Sequence, residues 1–385
     1  MHVFTSITAN YLPKAAALAH SFKRAHPEGV FHLVISDDVP SCPPATLAAF
    51  DTIIPIQDLR IPSLPRWIFR HRLVELCTAV KGTAFQHIAR VHQPERIYYF
   101  DPDIIIANRL DALERRLDHH SILLTPHMTV PETDPQAILD NEHCCLRHGV
   151  YNLGFLAVRL TSQGRRFLDW WADRLLHYCY DEVPSGLFTD QRWIDLAPAF
   201  FDDIAVVREP QYNVATWNLT HRQATGHVPD GILINGRPLG FYHFSGFDSG
   251  AQKIMLERYG AHSPVLFEFR EWYLRRCAEL GQETLGKIPC KFSRFSNGAA
   301  ITDEHRLLYR RRPDLMDHFP DPFDASDPAR SYFHWYEKHA PRIDQKTGLE
   351  SQPKLLRAIR RHAPEPALRI ARNARAAWRR LIRAA

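Results

Sequence analysis

The 385-residue sequence lacks the features of a membrane-spanning, disulfide-bonded or zinc-binding protein. No run approaches the roughly eighteen consecutive apolar residues that a transmembrane helix needs. The first residues, MHVFTSITANYLPK, hold no charged segment followed by a long apolar one, so no signal peptide is expected. The seven cysteines are odd in number and include no CxxC pair, which argues against a disulfide framework or a zinc site.

Nucleic-acid binding has no electrostatic support in the body of the chain. The composition, 45% hydrophobic and 24% charged, is that of a globular protein with a sizeable core. The net charge of +5 is concentrated in residues 354–385, which hold ten Lys or Arg and one acidic residue. The remaining residues are therefore slightly acidic, and no nucleic-acid partner is expected.

Strand and helix patterns alternate from the first residues onward, which predicts an α/β fold with a parallel sheet covered by helices. Residues 121–127 read as a polar loop, and residues 313–331, rich in Pro and Asp, as a loop or domain edge. The predicted strands are 2–8, 30–36, 51–56, 96–106 and 150–160, with shorter strands or turns at 204–214, 231–236 and 239–247. The predicted helices are 12–26, 66–80, 164–180 and 264–280.

Two acidic residues, Asp101 and Asp103, interrupt the apolar stretch IYYFDPDIII. Residues i and i+2 of a strand project from one side, and Pro102 removes a ladder donor, as suits the carboxyl end of a parallel strand. Two convergent carboxylates repel each other unless a cation lies between them. Hard oxygen ligands favour Mg²⁺ or Mn²⁺, which usually bind together with substrate phosphates. An Asp-x-Asp triplet also arises by chance, so the triplet alone is weak evidence. The apolar residues on both sides of it support a metal-binding role.

These residues resemble the GT-A fold of nucleotide-sugar-dependent glycosyltransferases, and are most similar to the family-8 retaining enzymes, the group of glycogenin and lipopolysaccharide galactosyltransferases. The resemblance covers roughly residues 1–250. It implies a Rossmann-like, mostly parallel mixed sheet flanked by helices, with a C-terminal helical extension. The expected domains are the catalytic domain at 1–250, a helical and loop extension at 251–335, and a basic amphipathic tail at 336–385.

Two motifs resemble the family's donor-binding segments. In SITANYLPK, residues Thr8, Asn10 and Tyr11 occupy the turn that in the family holds the nucleotide base, although helix capping is the alternative. In YNLGFLAV, Asn152 and Gly154 match a strand near the donor sugar, where the amide can bind hydroxyls and glycine permits close approach. A bulge at Gly154 and a loop contact by Asn152 are the alternatives.

The segment LFTDQRW resembles the family's Asp-Gln-Asp segment beside the reacting carbon. Asp190 and Gln191 match its first two positions and are the candidate catalytic residues, because such groups can stabilise an oxocarbenium-like transition state. Capping of the following helix is the alternative for Asp190.

The segment FYHFSGFD resembles the family's late His-x-x-Gly, which makes His243 the third metal ligand beside Asp101 and Asp103, and places Gly246 at the donor. The chain has 22 histidines, so His243 depends on its neighbours for support. The family's following Lys-Pro-Trp is missing, and Lys81 and Lys253 are the candidates for the phosphate-binding lysine. Further sugar contacts are assigned to Asn213 and Trp217, with core packing as the alternative.

The function that the resemblance implies is transfer of a sugar from a nucleotide-diphosphate sugar, with a UDP-sugar favoured, to a glycan or lipid-linked acceptor. Mn²⁺ or Mg²⁺ is the expected cofactor, retention the expected outcome, and bacterial-type surface polysaccharide or lipopolysaccharide synthesis the expected setting. The alternatives are a non-catalytic, membrane-associated protein that binds sugar nucleotides or carbohydrates, and an inverting GT-A enzyme.

The basic tail has an amphipathic pattern. From Ala367 onward, apolar residues including Trp378 gather on one side of a helical projection and arginines on the other. This pattern favours an anionic membrane surface as partner of residues 354–385, with a terminal helix docked on the body as the alternative. The expected location is cytoplasmic, peripheral on the inner face of the cytoplasmic membrane.

Overall fold

The computed structural model describes residues 1–340, 343–344 and 349–350. The strands are β1 (His2–Ile7), β2 (Val30–Ile35), β3 (Thr52–Pro55), β4 (Arg96–Phe100), β5 (Ile104–Ile106), β6 (Ile122–Pro126), β7 (Tyr151–Arg159), β8 (Asp181–Glu182), β9 (Leu187–Phe188), β10 (Ile204–Val206), β11 (Ala224–His227), β12 (Gly231–Ile234), β13 (Arg237–Pro238), β14 (Phe241–His243), β15 (Ile343–Asp344) and β16 (Leu349–Glu350). The helices are α1 (Leu12–Ala25), α2 (Pro44–Leu47), α3 (Leu64–Phe69), α4 (Leu73–Val91), α5 (Asp111–Leu117), α6 (Pro135–Ala137), α7 (His143–His148), α8 (Ser162–Tyr178), α9 (Gln191–Ile194), α10 (Ala197–Phe200), α11 (Ala251–Tyr259), α12 (Pro264–Glu279), α13 (Gln282–Leu285), α14 (Asp303–Arg311), α15 (Pro313–His318) and α16 (Tyr332–His339).

A seven-stranded sheet of order β10-β6-β7-β4-β1-β2-β3 forms the centre of the fold. Its neighbours pair in parallel except at β7, which runs antiparallel to both β4 and β6. The predicted α/β class with a mostly parallel mixed sheet is confirmed. The alternation of strands and helices in the sequence does not reveal that β7 runs antiparallel. The direction of β7 is reversed because the segment between β6 and β7 begins and ends at the same end of the strands.

Helices cover both faces of the sheet, because adjacent residues of a strand point to opposite sides. Phe4 of β1 and Tyr99 of β4 pack in the core beneath α4 and α8. Val3 and Tyr98, one residue earlier in each strand, pack in a second core beneath α1 and α5. The strands are therefore buried on both faces, as their continuous apolar runs predict.

The predicted strand 96–106 is wrong, because the chain forms two strands in different sheets. β4 belongs to the central sheet, whereas β5 pairs antiparallel with β14. Asp101, Pro102 and Asp103 form the turn between them, where the Ile104 N–H donates to the carbonyl of Asp101 at 3.1 Å. The two carboxylates therefore lie on a turn and not on one face of a single strand.

Three other predictions at the secondary-structure level are wrong. Residues 121–127 form the buried strand β6, because the apolar triplet at 122–124 outweighs its polar flanks. The single helix 66–80 is two helices, α3 and α4, since the Glu75 side chain accepts the Arg72 N–H at 2.7 Å and starts a new helix there. The loop predicted at 313–331 begins with helix α15.

The residues after 250 form the expected helical extension. Helix α12 packs on the cluster that includes β11, β12 and part of α1. Helices α14 and α16 pack aromatic residues, among them Tyr309 and Tyr332, around Phe69 of α3, and α15 adds Leu315 to the same cluster. Within the described residues no helix combines the length and the apolar character that crossing a bilayer requires. The domain boundaries stay a prediction, and the tail at 354–385 lies outside the described residues.

Candidate active site

Two adjoining cavities open at the carboxyl edge of the central sheet and meet at Asp101, which lines both. The first, of about 520 Å³ and called the Thr8 cavity below, follows the end of β1 and is closed on one side by Ile288–Cys290 of the extension. The second, of about 430 Å³ and called the Asn152 cavity, follows the start of β7. The Asn152 cavity is also lined by Lys81, His127, Gly154, Asp190, Gln191, Trp217 and His243, and the Thr8 cavity by Asn10, Tyr11, Cys77, Tyr99 and Asp103.

The three predicted metal ligands come together where the cavities meet. Antiparallel pairing of β5 with β14 sets His243 opposite Ile104, beside the acidic turn. Nε2 of His243 lies 3.1 Å from Oδ1 of Asp103 and 3.7 Å from Oδ2 of Asp101. All three candidate ligand atoms lie within 4.8 Å of one another. Two carboxylate oxygens and one imidazole nitrogen fit Mn²⁺ or Mg²⁺, with room for substrate oxygens.

The acidic and imidazole groups shift each other's protonation. Burial raises the pKa of Asp103, but nearby His243 and Lys14 outweigh burial and lower the pKa overall. Burial lowers the pKa of His243, but the carboxylates of Asp103 and Asp101 outweigh burial and raise it. An imidazole must be neutral to bind a metal, so metal binding at this site releases a proton.

Asn152 and Gly154 hold the His243 ring. The carboxamide oxygen of Asn152 accepts from Nδ1 of His243 at 3.2 Å and from the Gly154 N–H at 3.2 Å. Because Nδ1 donates there, Nε2 is the nitrogen that faces the two carboxylates and would bind a metal ion once its proton is lost. A Cβ at Gly154 would stand 2.4 Å from Cε1 of His243. The close approach to the backbone that Gly154 permits is thus made by the His243 ring, a side chain of the protein itself.

Lys81 pairs with carboxylates, and the phosphate-binding role predicted for it stays a prediction. Its side chain is 2% exposed, and Nζ lies 3.2 Å from Oδ1 of Asp101 and 2.8 Å from Oδ2 of Asp190. The ammonium also donates to the carbonyl of Leu153 at 3.0 Å. Burial lowers the pKa of Lys81, but the two carboxylates outweigh burial and raise it. Three protein oxygens thus surround the ammonium, two of them as hydrogen-bond acceptors.

Asp190 and Gln191 line the Asn152 cavity. Asp190 stands directly before α9, but its side chain makes no capping hydrogen bond and instead faces Lys81. Burial raises the pKa of Asp190 more than Lys81 lowers it. The Gln191 amide accepts the Leu153 N–H at 3.2 Å and donates to the His148 carbonyl at 3.0 Å. The capping alternative for Asp190 is therefore wrong.

The three residues predicted to bind the base line the Thr8 cavity. Thr8 precedes a single turn of 3-10 helix at Ala9–Tyr11 without capping it, and its hydroxyl donates to the Asn10 side chain at 2.7 Å. The Tyr11 hydroxyl donates to Asp248, whose carboxylate also accepts from Lys14 at 2.6 Å. A polar turn thus lines the Thr8 cavity, and hydrogen bonds to Asp248 connect this turn to the segment after β14.

Three predicted binding residues lie elsewhere. Asn213 is 1% exposed, adopts a left-handed φ of 50°, and lines neither cavity, so its sugar contact stays a prediction. Gly246, with φ of 75°, shapes the turn after β14 and also lines neither cavity, so its donor contact stays a prediction. Lys253 pairs with Glu257 at 3.8 Å in a separate groove and lines neither cavity. Trp217, by contrast, lines the Asn152 cavity with its ring 5.4 Å from that of His243.

Two residues near the acidic turn escaped the sequence analysis. Lys14 is buried at 4% exposure, and its charge contributes to the lowered pKa of Asp103. A single lysine inside an alanine-rich, otherwise apolar helical turn is a signal that could have identified it. The Tyr99 hydroxyl donates to Oδ1 of Asp101 at 2.6 Å. Tyr99 lies two residues before Asp101, but its burial in a strand resembles ordinary core packing.

Comparison with known proteins gives distant likenesses, and no family model matches the chain. The chain is 30% identical to the uncharacterized protein YfnF of Bacillus subtilis (strain 168) over 177 residues, which cover 45% of this chain and 57% of that protein. It is 24% identical to the uncharacterized protein YfnD of the same strain over 205 residues, 52% of this chain and 63% of that protein. The chain thus spans less than two thirds of the length of either relative.

Solved structures resemble the chain at low identity. The galactosyltransferase LgtC in complex with donor and acceptor sugar analogs is 15% identical, with a TM-score of 0.46 over 75% of this chain and 98% of that one. The glycosyltransferase GlyE of Streptococcus pneumoniae TIGR4 is 15% identical, with a TM-score of 0.40 over 76% and 66%. Mouse xyloside xylosyltransferase 1 is 14% identical, with a TM-score of 0.36 over 63% and 97%.

Proposed function

We propose that this chain is a metal-dependent glycosyltransferase that moves a sugar from a nucleoside-diphosphate sugar to a glycan or lipid-linked acceptor. The observation that carries the proposal is the meeting of two cavities at Asp101, with Asp103 and His243 beside the junction. A nucleotide sugar has the same three-part layout, with a base and ribose at one end, a sugar at the other, and a diphosphate between them.

The donor would lie across both cavities. The Thr8 cavity offers the polar turn of Thr8, Asn10 and Tyr11 to the nucleoside, and its volume of about 520 Å³ is in the range of small-molecule sites. Asp101, Asp103 and His243 would hold Mn²⁺ or Mg²⁺ at the diphosphate, and the bound ion supplies positive charge that stabilises the departing nucleoside diphosphate. We favour a UDP-sugar as the donor on the family resemblance, and the turn motif itself does not select the base.

Asp190 and Lys81 act at the sugar end. In the Asn152 cavity the buried carboxylate of Asp190 would face the anomeric carbon and stabilise the positive charge that develops there. Lys81 holds that carboxylate in place, because its ammonium lies between Asp190 and Asp101 at 2.8 and 3.2 Å. Gln191 is fixed beside it through both atoms of its amide. We expect retention of configuration, and NMR assignment of the product's anomeric proton tests it, since an inverted product would refute it.

The decisive experiment measures release of nucleoside diphosphate from a panel of UDP-sugars with and without Mn²⁺. The wild-type protein should show metal-dependent release, by slow hydrolysis even without acceptor, and the Asp101→Asn/Asp103→Asn variant should lose it by at least about 100-fold. The matched control is Asp169→Asn/Asp173→Asn, which removes two exposed carboxylates of α8. A wild-type protein that binds the donor without ever releasing diphosphate would instead be a sugar-nucleotide-binding protein.

The setting we propose is synthesis of a bacterial-type surface polysaccharide or lipopolysaccharide at the cytoplasmic face of a membrane. A lipid-linked acceptor brings the reaction to the bilayer surface, and the Arg-rich residues 354–385 have the composition of a segment that binds anionic lipid. Turnover that rises when the acceptor is presented on anionic vesicles would support this setting.

A further inference from the structure

Three histidines cluster at the edge of the sheet opposite the candidate active site. His2 opens β1, His32 lies in β2, and His92 directly follows α4. Their candidate ligand atoms all lie within 4.8 Å of one another. His2 pairs with Ile97 of β4, four residues before Asp101, so the cluster lies roughly 13 Å along the strand from the acidic turn at about 3.3 Å per residue. Nothing in the proposed transfer reaction uses it.

The nitrogens of the cluster are arranged as metal ligands require. Nδ1 of His32 lies 2.6 Å from the Thr52 hydroxyl, which fixes the ring through one nitrogen. The other nitrogen, Nε2, then shares a hydrogen bond with Nδ1 of His2 at 3.0 Å, which a bound ion would replace. Among the described residues, neither ring nitrogen of His92 has a hydrogen-bond partner. A histidine held by the protein through one nitrogen, with the other turned to the ion, is the usual arrangement at metal sites.

The surroundings keep the rings of the cluster neutral, as metal ligands must be. Burial and the neighbouring histidines lower the pKa of His32 to about 3, and burial, the positive chain N-terminus and His92 lower the pKa of His2, so both rings are neutral near pH 7. His92 stands at the carboxyl end of the nineteen-residue helix α4, where the helix dipole is negative. The carboxylate of Asp51, paired with Lys23 at 2.6 Å, is near enough to act on His2 and His32.

We propose that His2, His32 and His92 form a binding site for a divalent transition-metal ion that prefers neutral imidazole, with Zn²⁺ as the representative ion. Zn–N bonds of about 2.0–2.1 Å place tetrahedral ligand atoms about 3.3 Å apart, so the present spacing needs a contraction of at most about 1.5 Å. His2 and His92 are half-buried, which leaves the remaining position open to water. The bound ion would tie β1, β2 and the end of α4 together.

The test is a Zn²⁺ titration of the chain, freed of any affinity tag, against a chromophoric chelator. An excess of Mg²⁺ occupies oxygen-rich sites such as the acidic turn without competing for imidazole. The wild-type protein should bind one equivalent of Zn²⁺ and gain thermal stability from it. The His2→Gln and His92→Gln variants, which alter half-buried positions, should each bind Zn²⁺ at least about tenfold more weakly and lose the thermal shift.

Two controls separate this site from the active site. His20→Gln alters a half-buried histidine of α1 outside the cluster and should leave Zn²⁺ binding unchanged. Asp103→Asn should also leave it unchanged, whereas it should abolish the proposed transfer. Circular dichroism checks that each variant is folded. Equal Zn²⁺ affinity of the wild-type protein and a folded His2→Gln/His92→Gln double variant would overturn the proposal, and so would loss of the bound equivalent in Asp103→Asn alone.

Discussion

The substitution Gly154→Ala tests whether the position of His243 controls metal binding. An added Cβ would stand 2.4 Å from Cε1 and 2.7 Å from Nδ1 of the His243 ring, where ordinary contacts begin at 3.4 Å. The ring must therefore move by about 1 Å. It cannot move freely, because it is 3% exposed, with Trp217 at 5.4 Å and a hydrogen bond to Asn152.

The movement should weaken metal binding more than it destabilises the fold. Changes to the groups that orient a metal ligand typically cost 10- to 100-fold in affinity, about 1.4–2.7 kcal/mol. Inserting one methyl group into a packed region destabilises a protein by about 1–3 kcal/mol, which a sizeable domain tolerates. We therefore expect Gly154→Ala to fold, to need at least tenfold more Mn²⁺ for half-maximal turnover, and to keep its affinity for the donor's nucleoside.

The assay is the Mn²⁺ dependence of diphosphate release, measured beside urea unfolding of the same protein. The control is Gly298→Ala, where φ is 85° and no atom lies within 4 Å of the added Cβ, so that backbone strain is introduced without steric displacement. A folded Gly154→Ala protein with the metal dependence of the wild type would refute the reasoning. In that case His243 either is not a ligand or is not held by its contact with Gly154.

Three further predictions concern charge. Lys81→Met should lower the free energy of unfolding by about 3 kcal/mol in urea at pH 7.5, because it leaves the Asp101 and Asp190 carboxylates without their cation; unchanged stability would mean the ion pair is not formed. Burial holds the pKa of His71 well below its usual 6.5, so the unfolded chain takes up a proton there that the folded chain does not. The contribution of His71 to the free energy of unfolding is therefore fully present above pH 6.5 and decreases below it, by about 1.4 kcal/mol between pH 7.5 and 5.5. The His71→Asn variant should lack this part of the pH dependence in urea unfolding. Deleting residues 354–385 should abolish sedimentation with anionic vesicles, and retained sedimentation would show that the body binds the membrane.

Local chemistry in the sequence was enough to predict the α/β class and the residues that converge at Asp101. Apolar strands separated by amphipathic helices fix a layered fold, because each element must bury its apolar face. Asp101, Asp103 and His243 could be chosen because two carboxylates in an apolar stretch and a histidine in a matching motif are each unusual locally. Asn213 and Gly246 differ from these three, since the fold uses both residues for their left-handed backbone conformation and brings neither to a cavity.

The sequence by itself determined the α/β class and which side chains could bind a cation, since propensity, periodicity and ligand chemistry act over a few residues. Only the tertiary structure decided what each group is used for. It ended strand β4 before Pro102 and paired Lys81 with two carboxylates that lie 20 and 109 positions away along the chain. It also brought Asn152 within hydrogen-bonding distance of the His243 ring. Such pairings depend on how strands distant in sequence align and what each buried charge finds beside it, and no local pattern records that.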